Sequence, residues 1–354
     1  MKIRTKEYVH NKHHLYPFDE FNPVQSEILQ RGYAEEWTNV VVCAPTASGK
    51  TICGELLAGK LLSQGYKVAY LSPLKALVEE KVHDWSDEAH PWHQYDLFAM
   101  TGDYAMSPRR EKHLAKADII ICTYEMLAVR SRRTRKENSE WLDKIGCLIV
   151  DEAHFIASEG RGDHLENALV SFTRRNPQAR IVFLSATMKN SREIVDWLEV
   201  LNGKETRLVQ SDYRPCELSI EFNTYPKPKG NQWKTYAENE ELKIDTVLDT
   251  IRENIDDQWL IFVHSKKTGR AIVDAIKQSL YLDSIKIPTV TFHNADLTLE
   301  KRRNVEENFK SGKLRYLVAT STLAYGLNLP ARRVAIVGVH RGITEVDPMD
   351  IIQE

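Results

Sequence analysis

Short runs of almost unbroken apolar residues punctuate the first part of the chain: Val40–Cys43, Val68–Leu71, Ile119–Cys122, Leu148–Val150 and Ile181–Leu184. A strand with one wet face alternates apolar and polar residues. A run without alternation is apolar on both faces, as in a parallel sheet covered on both sides. Between the runs the period changes. Leu165, Ala168, Leu169 and Phe172 recur at i, i+3, i+4 and i+7, which predicts one helix. A second is predicted to open at Gly49 and stop near Gly65, and a third to cover Ser191–Leu198. Strands that alternate with helices in this way predict βαβ units in a doubly wound parallel sheet.

The alternation restarts after residue 212. Ile244, Val247, Leu248 and Ile251 mark a helix face, followed by a strand at Trp259–Val263 and a helix around Ile272, Ala275 and Ile276. Further strands are predicted at Thr289–Phe292, Tyr316–Ala319 and Val334–Val337. The stretch Tyr225–Asn231 is rich in breakers and Ala237–Leu242 is polar. The boundary is therefore placed near Ser211-Asp212. Residues 1–211 form a first α/β domain and 212–354 a second, with 213–240 as a lead-in strand and loop.

Composition narrows the function. The chain of 354 residues carries 48 basic and 50 acidic residues, a net charge of −2, so it has no global basic field. A nucleic-acid surface would have to be a local groove. No apolar run approaches the ~20 residues that span a bilayer, and Met1–Lys6 lacks the apolar core of a signal peptide. An intracellular, cytoplasmic protein is expected. The five cysteines are odd in number, contain no CxxC pair and lie mostly in the apolar runs, so they are read as reduced and buried. His10, His13 and His14 have no acid or cysteine at metal spacing and are read as a solvated N-terminal segment.

The chemistry starts where the first strand ends. Ala44-Pro-Thr46-Ala47-Ser48-Gly49-Lys50-Thr51 matches a GxxxxGK[ST] phosphate loop, with Ala44 in place of the first glycine. Backbone N–H groups from Thr46 to Gly49 and the start of the next helix can surround a polyphosphate. Lys50 would reach the β- and γ-phosphates, and the Thr51 hydroxyl would ligate Mg²⁺. The competing reading is a generic strand–helix turn. A second site follows Cys147–Val150, where Asp151-Glu152-Ala153-His154 places two acids at a strand end. Asp151 would hold Mg²⁺ through water, and Glu152 would orient and deprotonate the attacking water. Alone this is an acidic turn; with the phosphate loop it predicts a nucleoside triphosphate hydrolase. Ser185 and Thr187 sit just after Ile181–Leu184, where a hydroxyl ordinarily caps the next helix.

With these motifs in hand, the chain resembles superfamily 2 helicases of the DExH type, over roughly residues 20 to 354. The resemblance implies two tandem RecA-like domains with ATP in the cleft between them. It implies that Gln25 in Phe21–Gln25 reads adenine, and that Ser185, Thr187 and His154 couple the nucleotide state to domain closure. Strand contacts are implied at Pro73 and Lys75 of Ser72–Leu77, at Thr101 and Gly102, and at Thr123 of Cys122–Met126. In the second domain they are implied at Ser265, His293 and Thr320, while Gly326 and Asn328 of Ala319–Pro330 would approach the nucleotide. Arg161-Gly162, Glu166, Asn176-Pro177, Asn190, Glu193 and Trp197-Leu198 resemble the Ski-like branch, especially archaeal Hjm-type repair helicases. Ala153 departs from that branch, which more often carries valine or isoleucine. Gln353 stands where the family's last motif opens; its Gly-Arg-x-Gly-Arg run would come from a longer chain or a partner chain.

The implied activity is an ATP- and Mg²⁺-dependent helicase or translocase moving 3′ to 5′ on single-stranded or tailed-duplex nucleic acid. DNA is favoured over RNA through the repair-helicase resemblance only. A nucleic-acid clamp driven by ATP, or half of a split helicase, stays open as the alternative. Two basic clusters are ambiguous. Arg130, Arg132, Arg133, Arg135 and Lys136 read as a phosphate contact or a solvated loop face, and Lys301–Arg303 as a helix surface.

Overall fold

The computed structural model describes residues 3–5, 16, 18–103, 106–132, 139–157, 161–224, 232–283, 289–320, 329–338, 340–341 and 344–345. The chain divides into two compact units, Met1–Glu217 and Leu218–Glu354.

The first unit is built on a seven-stranded sheet in the order β3-β4-β2-β5-β6-β1-β7. The strands are β1 (Asn39–Cys43), β2 (Lys67–Ser72), β3 (Leu97–Met100), β4 (Ile119–Thr123), β5 (Ile145–Val150), β6 (Arg180–Ser185) and β7 (Thr206–Gln210), and every pairing is parallel. Each strand expected from an unbroken apolar run is buried along its whole length. The two edges, β3 and β7, are half-buried and were not expected. In β7, Thr-Arg-Leu-Val-Gln, only residues 208–209 are apolar, too few to stand out.

The helices are α1 (Pro23–Gln30), α2 (Lys50–Ser63), α3 (Lys75–Ser86), α4 (Pro108–Lys116), α5 (Tyr124–Ser131), α6 (Arg161–Arg175) and α7 (Ser191–Asn202). Asn22 starts α1 through a capping box: its side chain accepts from Gln25 N, and its own N–H donates to Gln25 Oε1, both at 3.1 Å. The predicted stripe Leu165, Ala168, Leu169 and Phe172 is fully buried on α6. Helix α2 packs so closely on the sheet that a Cβ at Gly54 would lie 3.0 Å from Leu184 and 3.3 Å from Ile149. Asn190, not a hydroxyl residue, occupies the N-cap of α7 and makes no side-chain cap bond. Neither Ser185 nor Thr187 is therefore explained by capping.

One charge lies at the centre of this core. Arg180 is fully buried and donates to the carbonyls of Thr38 (3.0 Å), Leu57 (2.8 Å) and Tyr33 (3.1 Å). It ties the lead-in to β1, helix α2 and the end of the α1 segment to β6 through hydrogen bonds that replace its hydration.

The second unit has a four-stranded parallel sheet in the order β11-β8-β10-β9, with β8 (Trp259–Val263), β9 (Val290–His293), β10 (Tyr316–Thr320) and β11 (Arg333–Val337). Its helices are α8 (Gln232–Glu253), α9 (Lys266–Asp283) and α10 (Leu299–Lys310). Alternate residues of β8 feed two separate cores. Trp259, Ile261 and Val263 pack with Leu248, Ile251, Ile272 and Ile276, whereas Leu260 and Phe262 pack with Phe309, Leu314 and Leu317. That is the doubly wound arrangement. Helix α9 crosses Phe292 at Gly269, where a Cβ would come within 2.5 Å of the ring.

The lead-in strand expected within 213–240 is absent from its described residues, and 225–231 lie outside them. No strand occupies 213–224, and the polar stretch Ala237–Leu242 lies inside α8. Its Ala, Glu and Leu residues are good helix formers whose polarity reads as linker only in the absence of a partner face. The surface reading of Lys301–Arg303 agrees with their place on α10. Cys43, Cys53, Cys122 and Cys147 are buried free thiols, each pushed up by burial, and Cys216 is exposed. No helix among the described residues is long and apolar enough to cross a membrane.

Candidate active site

Strands β5, β6 and β1 are neighbours, so the residues that follow them share one edge of the sheet. Ser185 pairs with Cys43, and Ala44 N donates to the Ser185 carbonyl at 3.1 Å. The phosphate loop then turns into α2. Gly49 has φ +76° and Ala47 φ +63°. A Cβ at Gly49 would lie 2.5 Å from Gln25 Nε2 and 3.0 Å from Asn22 Nδ2, so only glycine fits. Ala44 has no such positive φ, which explains why alanine serves where a first glycine is usual.

The loop is braced from α1. Asn22 Nδ2 donates to the Ser48 carbonyl at 2.8 Å, and Gln25 Nε2 to the Gly49 carbonyl at 3.2 Å. Gln25 is buried, with both ends of its amide in these internal bonds. Lys50 Nζ donates to the carbonyls of Ala44 and Pro45, each at 2.9 Å. Burial lowers the Lys50 pKa, and the charges of Glu152 and Asp151 oppose that shift. Thr46 and Ala47 are exposed, and Thr51 is half-buried in the first turn of α2. The first-turn N–H groups of a helix lack intrahelical partners, and next to a left-handed glycine they form an anion cradle. The buried Ser48 hydroxyl has no hydrogen-bond partner. The loop fits a polyphosphate.

The acid turn faces it. Tyr70 on β2 donates its hydroxyl to Asp151 Oδ2, and Asp151 Oδ1 accepts from Glu152 N at 3.0 Å. Glu152 holds φ +50°, a backbone conformation uncommon for a side-chain-bearing residue. Burial and then the Asp151 charge raise its pKa to about 7, against the pull of Lys50. A carboxyl titrating near neutrality suits a general base. His154 is buried, with Nδ1 3.4 Å from Glu152 Oε2. Ser185 is fully buried and its hydroxyl has no partner, whereas Thr187 is exposed.

The other half of the same sheet edge carries the expected strand contacts. Ser72 pairs with Thr123 and Met100 with Cys122, so Pro73, Lys75, Thr101, Gly102 and Thr123 converge beyond β2, β4 and β3. Lys75 is exposed and ion-paired with Asp103. Thr101 and Ser72 bury hydroxyls that have no partner. Arg130 does not join this group. It is buried and bonded to Glu111 at 2.9 Å, which removes it as a phosphate contact. Arg132 is exposed, while Arg133, Arg135 and Lys136 lie outside the described residues.

In the second unit, Ser265, His293 and Thr320 stand at or just beyond the ends of the adjacent strands β8, β9 and β10. Ser265 Oγ accepts from Thr268 N at 3.0 Å. His293 is buried with Nε2 3.0 Å from Glu306. Gly326, Asn328 and Gln353, like His10, His13 and His14, lie outside the described residues. Sequence reasoning missed Asn22, Tyr70 and Tyr124, whose hydroxyl donates to the Asp151 carbonyl at 2.5 Å. Asn22 had a signal, the cap before Pro23; a tyrosine beside an apolar run looks like core.

The DEAD/DEAH box helicase profile matches residues 22–195, and the helicase conserved C-terminal domain profile matches residues 242–353. The ATP-dependent DNA helicase Hel308 of Pyrococcus abyssi is 34% identical over 90% of this chain and 45% of its own length. That of Methanococcus vannielii is 29% identical over 95% of this chain and 48% of its own. The activating signal cointegrator 1 complex subunit 3 of Danio rerio is 32% identical over 92% of this chain and 22% of its own. The chain thus spans less than half the length of these relatives. A phosphate loop and an acid turn on one sheet edge, two helicase profiles in tandem, and relatives aligned along nearly the whole chain agree: the chain belongs to the DEAD/DEAH box helicases, in the Ski-like branch of superfamily 2.

Proposed function

We propose that this chain is the motor core of an ATP-dependent DNA helicase that moves 3′ to 5′ along a single strand or the tail of a duplex. One observation carries the reading. Among the described residues five buried hydroxyls have no hydrogen-bond partner, and four of them, Ser48, Ser72, Thr101 and Ser185, lie at the C-terminal edge of the first sheet; the fifth, Ser131, ends α5. Buried hydroxyls are ordinarily satisfied. Polar ligands along that edge, a triphosphate at one end and a sugar-phosphate backbone at the other, would satisfy them.

Lys50 and the N–H groups of Thr46 to Gly49 would hold the β- and γ-phosphates, with Gln25 linking adenine to the loop through its bond to Gly49. Thr51 and Asp151 would hold Mg²⁺, which supplies charge neutralisation of the phosphates when bound. Glu152 would take the proton of the attacking water. His154, Ser185 and Thr187 would report the state of the γ-phosphate. Pro73, Lys75, Thr101, Gly102, Thr123, Ser265, His293 and Thr320 would track the strand backbone, which carries little sequence information. DNA is preferred because the archaeal relatives bear the name DNA helicase. Arginines answering the γ-phosphate, in a further segment or a second chain, belong to the same proposal.

The test is ATP hydrolysis and strand displacement on duplexes with a 3′ or a 5′ tail. Hydrolysis stimulated by single-stranded DNA, with 3′-tailed duplex preferred and all activity lost in Lys50→Ala, is expected. Hydrolysis indifferent to DNA and RNA alike would refute the motor.

A further inference from the structure

Tyr124 is the first residue of α5, immediately after Thr123 at the end of β4. It is fully buried, and its hydroxyl reaches past β2 to the end of β5. There it donates to the Asp151 carbonyl at 2.5 Å and lies 3.3 Å from the Glu152 carbonyl. The Glu152 carbonyl also accepts from Phe155 N at 3.0 Å. These bonds fall on the turn that holds Glu152 at φ +50°. A non-glycine residue keeps such a conformation only where its surroundings fix it.

A second hydroxyl acts on the same turn. Tyr70 donates to the Asp151 carboxylate from β2, the strand that runs directly into Pro73 and Lys75. Two of the three expected strand-contacting segments of this unit, those that follow β2 and β4, are thus tied to the acid turn through one tyrosine oxygen each. At Thr123 the link is shorter, because its neighbour in sequence is itself the donor. Thr123 makes no side-chain cap bond to α5, so nothing in that helix start competes for its hydroxyl.

We propose that Tyr124 is a positioning residue that transmits strand occupancy at Thr123 to the Glu152 carboxylate by holding the backbone of the acid turn. The inference rests on the motor reading above. A strand seated on Thr123 fixes the start of α5, and with it the hydroxyl that sets the direction of the 151–152 peptide. Loss of that hydroxyl leaves both carboxylates present and the nucleotide cradle untouched, but loosens the geometry of the proton acceptor.

The experiment compares wild type, Tyr124→Phe and a control, Tyr316→Phe. The control removes a tyrosine hydroxyl bonded at 2.7 Å to the Ile255 carbonyl in the second unit. The readouts are kcat and KM for ATP with and without single-stranded DNA, and the affinities for a non-hydrolysable ATP analogue and for an oligonucleotide. For Tyr124→Phe, kcat with DNA should fall at least tenfold, toward the roughly 100-fold that an ångström of misplacement costs. Both affinities should stay within twofold, and stimulation by DNA should shrink toward one. Tyr316→Phe should leave kcat and stimulation at wild-type values. If wild type is stimulated by DNA and Tyr124→Phe keeps both its kcat and its stimulation, the inference fails and the motor reading stands. If Tyr124→Phe loses analogue and DNA affinity together with kcat, Tyr124 is a packing residue and the inference fails. If wild type does not hydrolyse ATP, or hydrolyses it without any response to DNA, the motor reading falls and takes the inference with it.

Discussion

Replacing Glu152 by glutamine separates the cost of this carboxylate from its use. Burial and the neighbouring Asp151 raise its pKa from 4.5 to about 7. A folded-state pKa above the unfolded value means that the fold prefers the protonated acid. The stabilisation is complete below pH 4.5 and is lost as pH rises through 7. The full shift corresponds to at most ~3 kcal/mol. A third of the side chain is exposed, and screening by solvent reduces this to about 1–2 kcal/mol. Glutamine is neutral at every pH and leaves the φ +50° backbone position occupied by a residue of the same shape. Without nucleotide, Glu152→Gln should therefore match wild type near pH 5 and exceed it at pH 8. For a unit of this size the gain should be about 2–6 °C in Tm. The same variant should lose 10²- to 10⁴-fold in hydrolysis, the usual worth of a general base. Differential scanning calorimetry at the two pH values, paired with an ATPase assay, reads both effects. A Tm lowered at pH 8, or a gain of equal size at both pH values, would show that the carboxylate is not the strained group. Near-normal turnover would remove it from the chemistry.

Other substitutions test the supports of the site. Gly49→Ala forces a Cβ to 2.5 Å from Gln25 Nε2 at φ +76°, and should cost ATP affinity at least tenfold while Tm falls by only about 2–4 °C; unchanged affinity would mean that the cradle does not need this geometry. Gln25→Ala removes the amide bonded to Gly49, so discrimination between ATP and GTP should collapse in competition assays; a preserved preference would place adenine recognition elsewhere. Arg180→Met strands the carbonyls of Thr38, Leu57 and Tyr33 in the core and should cost at least about 2 kcal/mol in urea unfolding. A neutral result would show that these carbonyls find other donors.

The fold was legible wherever burial was complete. A central strand covered on both faces must be apolar throughout, and that constraint is visible in Val40–Cys43 or Ile119–Cys122 without any partner. Edge strands carry no such constraint. Thr206–Gln210 pairs on one side only, and its residues answer to β1 rather than to a local pattern. Helix α8 failed for the opposite reason: its polar middle, Ala237–Leu242, has strong helix propensity, but polarity was weighed above it.

In the site, residue types were legible and their constraints were not. Lys50, Asp151 and Glu152 can be named from order and spacing, because phosphate chemistry demands those groups after buried strands. That Glu152 stands in a left-handed conformation, and that Ala47 does too, follows from contacts the sequence does not order. Tyr70 lies 81 residues from the carboxylate it supports and Tyr124 lies 27 from its carbonyl. The sheet order explains why these separations vanish. Because every neighbour in β3-β4-β2-β5-β6-β1 runs parallel, each strand delivers its following residue to the same edge, whatever its place in the chain. Phosphate loop, hydroxyls and acids gather at β1, β6 and β5; the residues proposed as strand contacts gather at β2, β4 and β3. The two groups meet where β5 pairs with β2, and that junction carries the Tyr70 hydroxyl and lies beneath the reach of Tyr124. In the motor proposed above, that junction would join the strand contacts to the acid turn through hydrogen bonds already in place.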